Sequence, residues 1–292
     1  MTVMPPAVRR TLDLGEVVLA YDEVGDGPPV VYAHGLTSSR RSEDAWTLTD
    51  WSPVVAAGRR LVRYDARGHG ESTGRPRYTD YTWPYLAGDL LALVDHISGP
   101  GPGPGQDPDQ EPEPGPGPGS GSNPAPVDVI GASMGCGTLL HAAIRHPERF
   151  GRLVLVIPST AWETRPMAAA ANRAAADIIE RNGLDSFLAA VKDLPLAPVP
   201  AQAPGTPPLP DITESLYPHV MRGSAATDLP DPDVLRALEH PALILTWAGD
   251  PGHPVSTAEK LKDLLPNAWL HVSDDYADAT TWGERAAAFL TE

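Results

Sequence analysis

The stretch Val127-Asp128-Val129-Ile130-Gly131-Ala132-Ser133-Met134-Gly135-Cys136-Gly137 constrains this chain more than any other. Read in order, it is a short apolar strand, a glycine-pinched turn and the start of a helix that runs to about His146. The pattern Gly131-x-Ser133-x-Gly135 sets a serine on a strained turn at the carboxyl end of a strand, with its hydroxyl pushed into the open. Glycines at 131, 135 and 137 let strand and helix approach closely around it. The helix aims its N-terminal amides at the same spot, where a negative oxygen would be stabilised by N–H groups and the helix dipole.

The rest of the chain supplies partners for that strand. Val8 to Ala20 alternates apolar residues through Leu12, Leu14, Val17 and Leu19 and reads as a strand pair. Tyr21 to Pro29 is a turn cluster. Val30 to Ala33, Leu61 to Tyr64, Leu153 to Ile157, Ala242 to Trp247 and Ala268 to Val272 read as strands. Helices are expected over Ala45–Ala57, Tyr85–Ile97, Ala258–Leu265 and Trp282–Leu290. Strands separated by helices of this length imply crossover connections, hence an α/β fold with a mostly parallel central sheet and helices on both faces. Two segments interrupt the alternation. Residues 99–126 are nearly all Gly and Pro with a few acids and almost nothing apolar to bury, which implies a disordered or polyproline-like loop insertion. Residues 161–240 contain Ala-rich helical stretches at Met167–Ile179 and Leu184–Val191, a Pro-rich run over 195–210 and a short helix at Asp233–Glu239. This segment fits a helical cap over the carboxyl ends of the strands, leaving 1–160 and 241–292 as the core.

Composition excludes more than it selects. A net charge of −16 in 292 residues argues against nucleic acid and anionic membrane surfaces. The single cysteine, Cys136, cannot pair internally and reads as a small buried filler. No secretory h-region or bilayer-length apolar run is present, so the chain reads as soluble and cytoplasmic. No phosphate-loop, dinucleotide or metal-ligand spacing occurs, so no cofactor is expected. The expected partner is a small-molecule substrate; the sequence says nothing of oligomeric state.

Four motifs in a fixed order resemble the α/β-hydrolase fold superfamily. These are His34-Gly35 after the third strand, Asp65-x-Arg67-Gly68-His69-Gly70-x-Ser72 after the fourth, Gly131-x-Ser133-x-Gly135 after the fifth, and Gly249-Asp250-Pro251-Gly252-His253-Pro254 after the seventh. The resemblance implies acyl transfer. Ser133 would be the nucleophile, the backbone amides of Leu36 and Met134 the oxyanion hole, and Asp250 the acid that orients a histidine. His34 and His69 read as loop-supporting residues that bond backbone.

The resemblance also implies a base histidine beyond the eighth strand, and no histidine follows His271, which itself falls within that strand. Three readings stay open. His253 supplies the base from the loop that carries Asp250. Asp274, Asp275 or Asp278 stands in as a carboxylate base. Or the scaffold is a retired or repurposed hydrolase that binds a small molecule or guides a lyase- or cyclase-like reaction. The first is a serine hydrolase of a small ester, lactone or amide with catalytic Ser133, Asp250 and His253. Trp162, Met167, Ile178, Phe187, Leu188 and Tyr217 are candidate pocket residues, and core packing of the cap explains them equally well.

Overall fold

The computed structural model describes residues 6–46, 48–98, 124–192 and 194–292. Eight strands form one sheet: β1 (Val8–Asp13), β2 (Val18–Val24), β3 (Pro29–Ala33), β4 (Arg60–Tyr64), β5 (Val127–Ala132), β6 (Phe150–Val156), β7 (Ala242–Trp247) and β8 (Ala268–Ser273). Their order is β1-β2-β4-β3-β5-β6-β7-β8. Only the β1/β2 and β2/β4 pairings are antiparallel. The Val/Ile/Leu runs of β3, β5, β6 and β7 are what a strand covered on both faces requires. Neighbouring residues duly face opposite layers. Val31, Val129, Leu153 and Ile244 pack under α3 (Trp83–Ser98), α4 (Met134–Arg145) and α9 (Val255–Leu264). Val30, Ile130, Val154 and Leu243 pack under α2 (Ser52–Ala56) and α11 (Trp282–Thr291).

Two local expectations change. The turn cluster expected from Tyr21 starts later, because β2 continues to Val24 and pairs with β4 from Tyr21↔Tyr64 to Val24↔Leu61. The buried Asp22 is tolerated mid-strand because Arg63 binds both its oxygens at 3.0 Å. The helix expected over 45–57 is split into α1 (Arg40–Ala45) and α2. Ser39 and Ser42 form a capping box that starts α1 early. The Asp50 carboxylate receives the Ser52 amide at 2.8 Å, and Pro53 follows in the first turn, which restarts the chain at α2.

Between β6 and β7 the chain is helical: α5 (Arg165–Asn182), α6 (Leu184–Val191), α7 (Tyr217–Ala225) and α8 (Pro232–Leu235). This helical cap has its own small core, in which Ala176 and Ile179 of α5 meet Tyr217, Val220 and Met221 of α7 and Tyr81 of the 3-10 turn before α3. A short α10 (Tyr276–Ala279) precedes α11. The Gly/Pro-rich insertion at 99–126 lies outside the described residues except for 124–126, which are exposed and irregular. Among the described residues no helix is long and apolar enough to cross a membrane, and no group of three or more His, Cys, Asp and Glu could hold a metal ion.

Candidate active site

Ser133 joins β5 to α4 with φ 50° and ψ −106°, a conformation costly for any residue with a side chain. From Val129 to Leu140 it is the one residue that is not buried. The close approach that holds this bend needs glycine twice. A Cβ on Gly135 would strike the Ala33 carbonyl of β3, and one on Gly131 would lie 2.5 Å from the Gly135 oxygen. Among the described residues, the three other non-glycine residues with positive φ, Thr37, Ile157 and Trp162, lie just beyond β3 and β6. Backbone strain therefore gathers at the carboxyl edge of the sheet around Ser133. The bend at Ser133 is signalled by its flanking glycines, whereas the positive φ of Thr37, Ile157 and Trp162 has no sequence signal.

One chain of hydrogen bonds leaves the serine. Ser133 Oγ lies 2.8 Å from His253 Nε2, and His253 Nδ1 lies 2.9 Å from Asp250 Oδ2. Because the carboxylate can only accept, Nδ1 carries the proton, and Nε2 is left as an acceptor for the serine hydroxyl. The Asp250 carboxylate is fixed on both oxygens. The Gly252 amide donates to Oδ1 at 2.8 Å, and the Trp247 indole N–H donates to Oδ2 at 3.0 Å. Burial alone would raise this carboxyl. The hydrogen bond and charge of His253, with the Trp247 and Gly252 donors, outweigh burial and hold it well below the usual carboxylate range. The Thr160 amide donates to the Gly252 carbonyl at 3.2 Å, which ties the loop to the root of the cap.

The loop geometry follows from its residues. Gly249 takes φ 79°, and the His253 amide returns to the Asp250 carbonyl at 3.2 Å. A Gly-Asp-Pro-Gly turn thus puts residues 250 and 253 on one side, within bonding distance of each other. That turn signal is present in the sequence; nothing in the sequence points from Trp247 to the Asp250 carboxylate.

The loop after β3 lies against the serine, since a Cβ on Gly35 would sit 3.4 Å from Ser133 Cβ. Met134 is the first residue of α4, so its amide has no intrahelical acceptor by position. His34 supports this loop: its Nδ1–H donates to Gly35 O at 2.7 Å and its Nε2 accepts the Ala66 amide at 2.9 Å. His69 donates from Nδ1 to Arg67 O at 2.9 Å, and burial, with His34 adjacent, pushes its imidazole down to about 3. Asp65 receives the Arg40 and Glu71 amides and the Arg40 guanidinium, while Arg67 binds Asp89 through two 2.6 Å bonds. These motif residues are the scaffold of the loop.

Two of the three acids beyond β8 are engaged locally. Asp275 caps α10 by receiving the Asp278 amide, and Asp278 receives His271 Nε2 and Ser273 Oγ, both at 2.7 Å, together with Arg285. Asp274 is exposed. Of the expected pocket residues, Met167 is 73% exposed, whereas Tyr217 is buried edge-to-face against Phe187 in the core of the cap. Trp162 is anchored by its indole N–H on Pro230 O at 3.0 Å, at the foot of the cap. Cys136 is buried against the Gly131 and Val156 carbonyls, and burial pushes its thiol up.

The sequence profile of the alpha/beta hydrolase family matches residues 30–285. The 2-hydroxymuconate semialdehyde hydrolase of Pseudomonas sp. (strain CF600) is 25% identical over 284 residues, covering 91% of this chain and 86% of that protein. A Bacillus subtilis (strain 168) protein bearing the name of a 2-succinyl-6-hydroxy-2,4-cyclohexadiene-1-carboxylate synthase is 27% identical over 183 residues. That match covers 60% of this chain and only 56% of the relative. Among solved structures, a thermophilic esterase from Thermogutta terrifontis is similar in fold, with a TM-score of 0.66 at 21% identity over 98% of this chain and 97% of that one.

Proposed function

Since the chain belongs to the alpha/beta hydrolase family, we propose that it is a serine hydrolase of small esters, lactones or amides. The observation that carries the reading is the unbroken series Ser133 Oγ, His253 Nε2–Nδ1, Asp250 Oδ2, with links of 2.8 and 2.9 Å. Both are within the reach a general base needs. His253 takes the Ser133 proton as Oγ attacks the substrate carbonyl carbon. The Leu36 and Met134 amides receive the oxyanion, each such donor being worth about 3 kcal/mol of barrier. The imidazolium is balanced by Asp250, which the other donors keep ionised, and returns its proton to the departing alcohol or amine. Water, deprotonated by the same imidazole, then releases the acyl group. Residues 161–240 are the lid of this site in the same reading, and the base sits on the loop after β7 instead of beyond β8.

Turnover of p-nitrophenyl acetate and butyrate, with fluorophosphonate labelling mapped by peptide mass, tests it. Labelling should fall on Ser133 and disappear, with turnover, in Ser133→Ala. A variant that keeps parental turnover would remove the proposal. A second reading, non-hydrolytic chemistry in the same pocket, is favoured by the synthase name of the Bacillus relative. It predicts small-molecule binding that survives Ser133→Ala and no acyl-enzyme burst.

A further inference from the structure

Trp247 ends β7 three residues before Asp250, is buried, and stacks on Trp282 with ring centroids 5.2 Å apart and planes 15° apart. Its indole N–H reaches the same Asp250 oxygen that accepts His253 Nδ1–H. Trp282 is held in turn by its own N–H on Ser273 Oγ at 2.9 Å, and Ser273 by Asp278 at 2.7 Å. The indole therefore cannot turn away without breaking a packed aromatic pair anchored in β8.

We propose that Trp247 is a positioning residue for the charge pair, its N–H fixing the rotation of the Asp250 carboxylate so that Oδ2 faces His253. The need for it follows from the loop. Asp250 and His253 share one short turn, so no second element carries the base into place, and a carboxylate held only by its own loop amide on Oδ1 could swing about that bond. A second, rigid donor on Oδ2 closes that freedom, and hydrogen bonds to a charged acceptor are the strong, direction-setting kind. The inference rests on the serine-hydrolase reading above and adds to it a residue outside the nucleophile, base and acid.

The test replaces only the N–H. Trp247→Phe keeps an aromatic ring against Trp282. Should it fail to fold, benzothienylalanine at 247 keeps the bicycle and puts sulfur where the N–H was. The expected result is a fall in kcat for p-nitrophenyl acetate of about tenfold, with KM within about twofold. The downfield proton resonance of His253 Nδ1–H should also shift or broaden, which a merely structural tryptophan would not cause. Trp269→Phe, on the exposed edge of β8, serves as the parental control. A folded variant with parental kcat and an unmoved resonance overturns the proposal while leaving the catalytic reading intact. Parental turnover in Ser133→Ala takes both down.

Discussion

Two neighbouring segments, the loop after β7 and the end of β8 with the α10 that follows it, carry the same kinds of residue and are used differently. Each holds an acid near a histidine: Asp250 and His253 in the first, Asp278 of α10 and His271 of β8 in the second. In the first, the pair is joined to Ser133, and the acid is enclosed by Trp247 and Gly252. In the second, Asp278 spends its oxygens on His271, Ser273 and Arg285, so the segment closes on itself. The difference teaches that an Asp–His pair becomes a candidate for catalysis through what the far nitrogen of the imidazole touches. His253 Nε2 faces a hydroxyl held open on a strained bend. In His271 the acid takes Nε2 itself, the nitrogen that in His253 faces the hydroxyl.

The sharpest way to break this comparison is to neutralise each acid. Asp250→Asn should lower kcat for a p-nitrophenyl ester by about 10³–10⁴-fold, because the amide no longer stabilises the imidazolium or selects its tautomer. Asp278→Asn should leave kcat within about twofold. Equal losses would erase the distinction between the segments. Next in size, Asp275→Ala should cost about 1 kcal/mol of stability by removing the cap of α10, measured by urea unfolding, with turnover unchanged. The smallest effect is in acid. Asp250 and Asp278 both have carboxyls below their ordinary value, so each contributes stability present above about pH 4 and lost as pH falls below it. Melting temperatures between about pH 5 and 3 should fall less steeply in Asp250→Asn than in the parent. Asp278→Asn, at a more solvent-exposed site, should flatten the curve less.

Much of the architecture was legible in the sequence, since buried parallel strands are written as short β-branched runs and Gly131, Ser133 and Gly135 spell their own bend. Asp250 was nameable as a candidate acid only through the family resemblance of the motif after β7. The direction of His253 was not. Whether a histidine before a proline points inward depends on Gly249 at positive φ and on the return bond from the His253 amide, which are properties of a folded turn. The tryptophan behind the acid was hidden for a similar reason: Trp247 reads as one more apolar residue closing a strand, and only the stacked ring of Trp282 aims its N–H. The cap was legible as helical but not in its packing, because Ala-rich helices show weak faces; Met167, expected inside, is on the surface, and Tyr217 is in the cap's own core.

The account turns on His253 as the group that activates Ser133. The most direct measurement is the second-order rate of Ser133 phosphonylation by a fluorophosphonate in the parent and in His253→Ala. The account predicts a loss of about 10³-fold or more in the variant. Equal rates would contradict it, since a serine that reacts as fast without that imidazole is not activated by it.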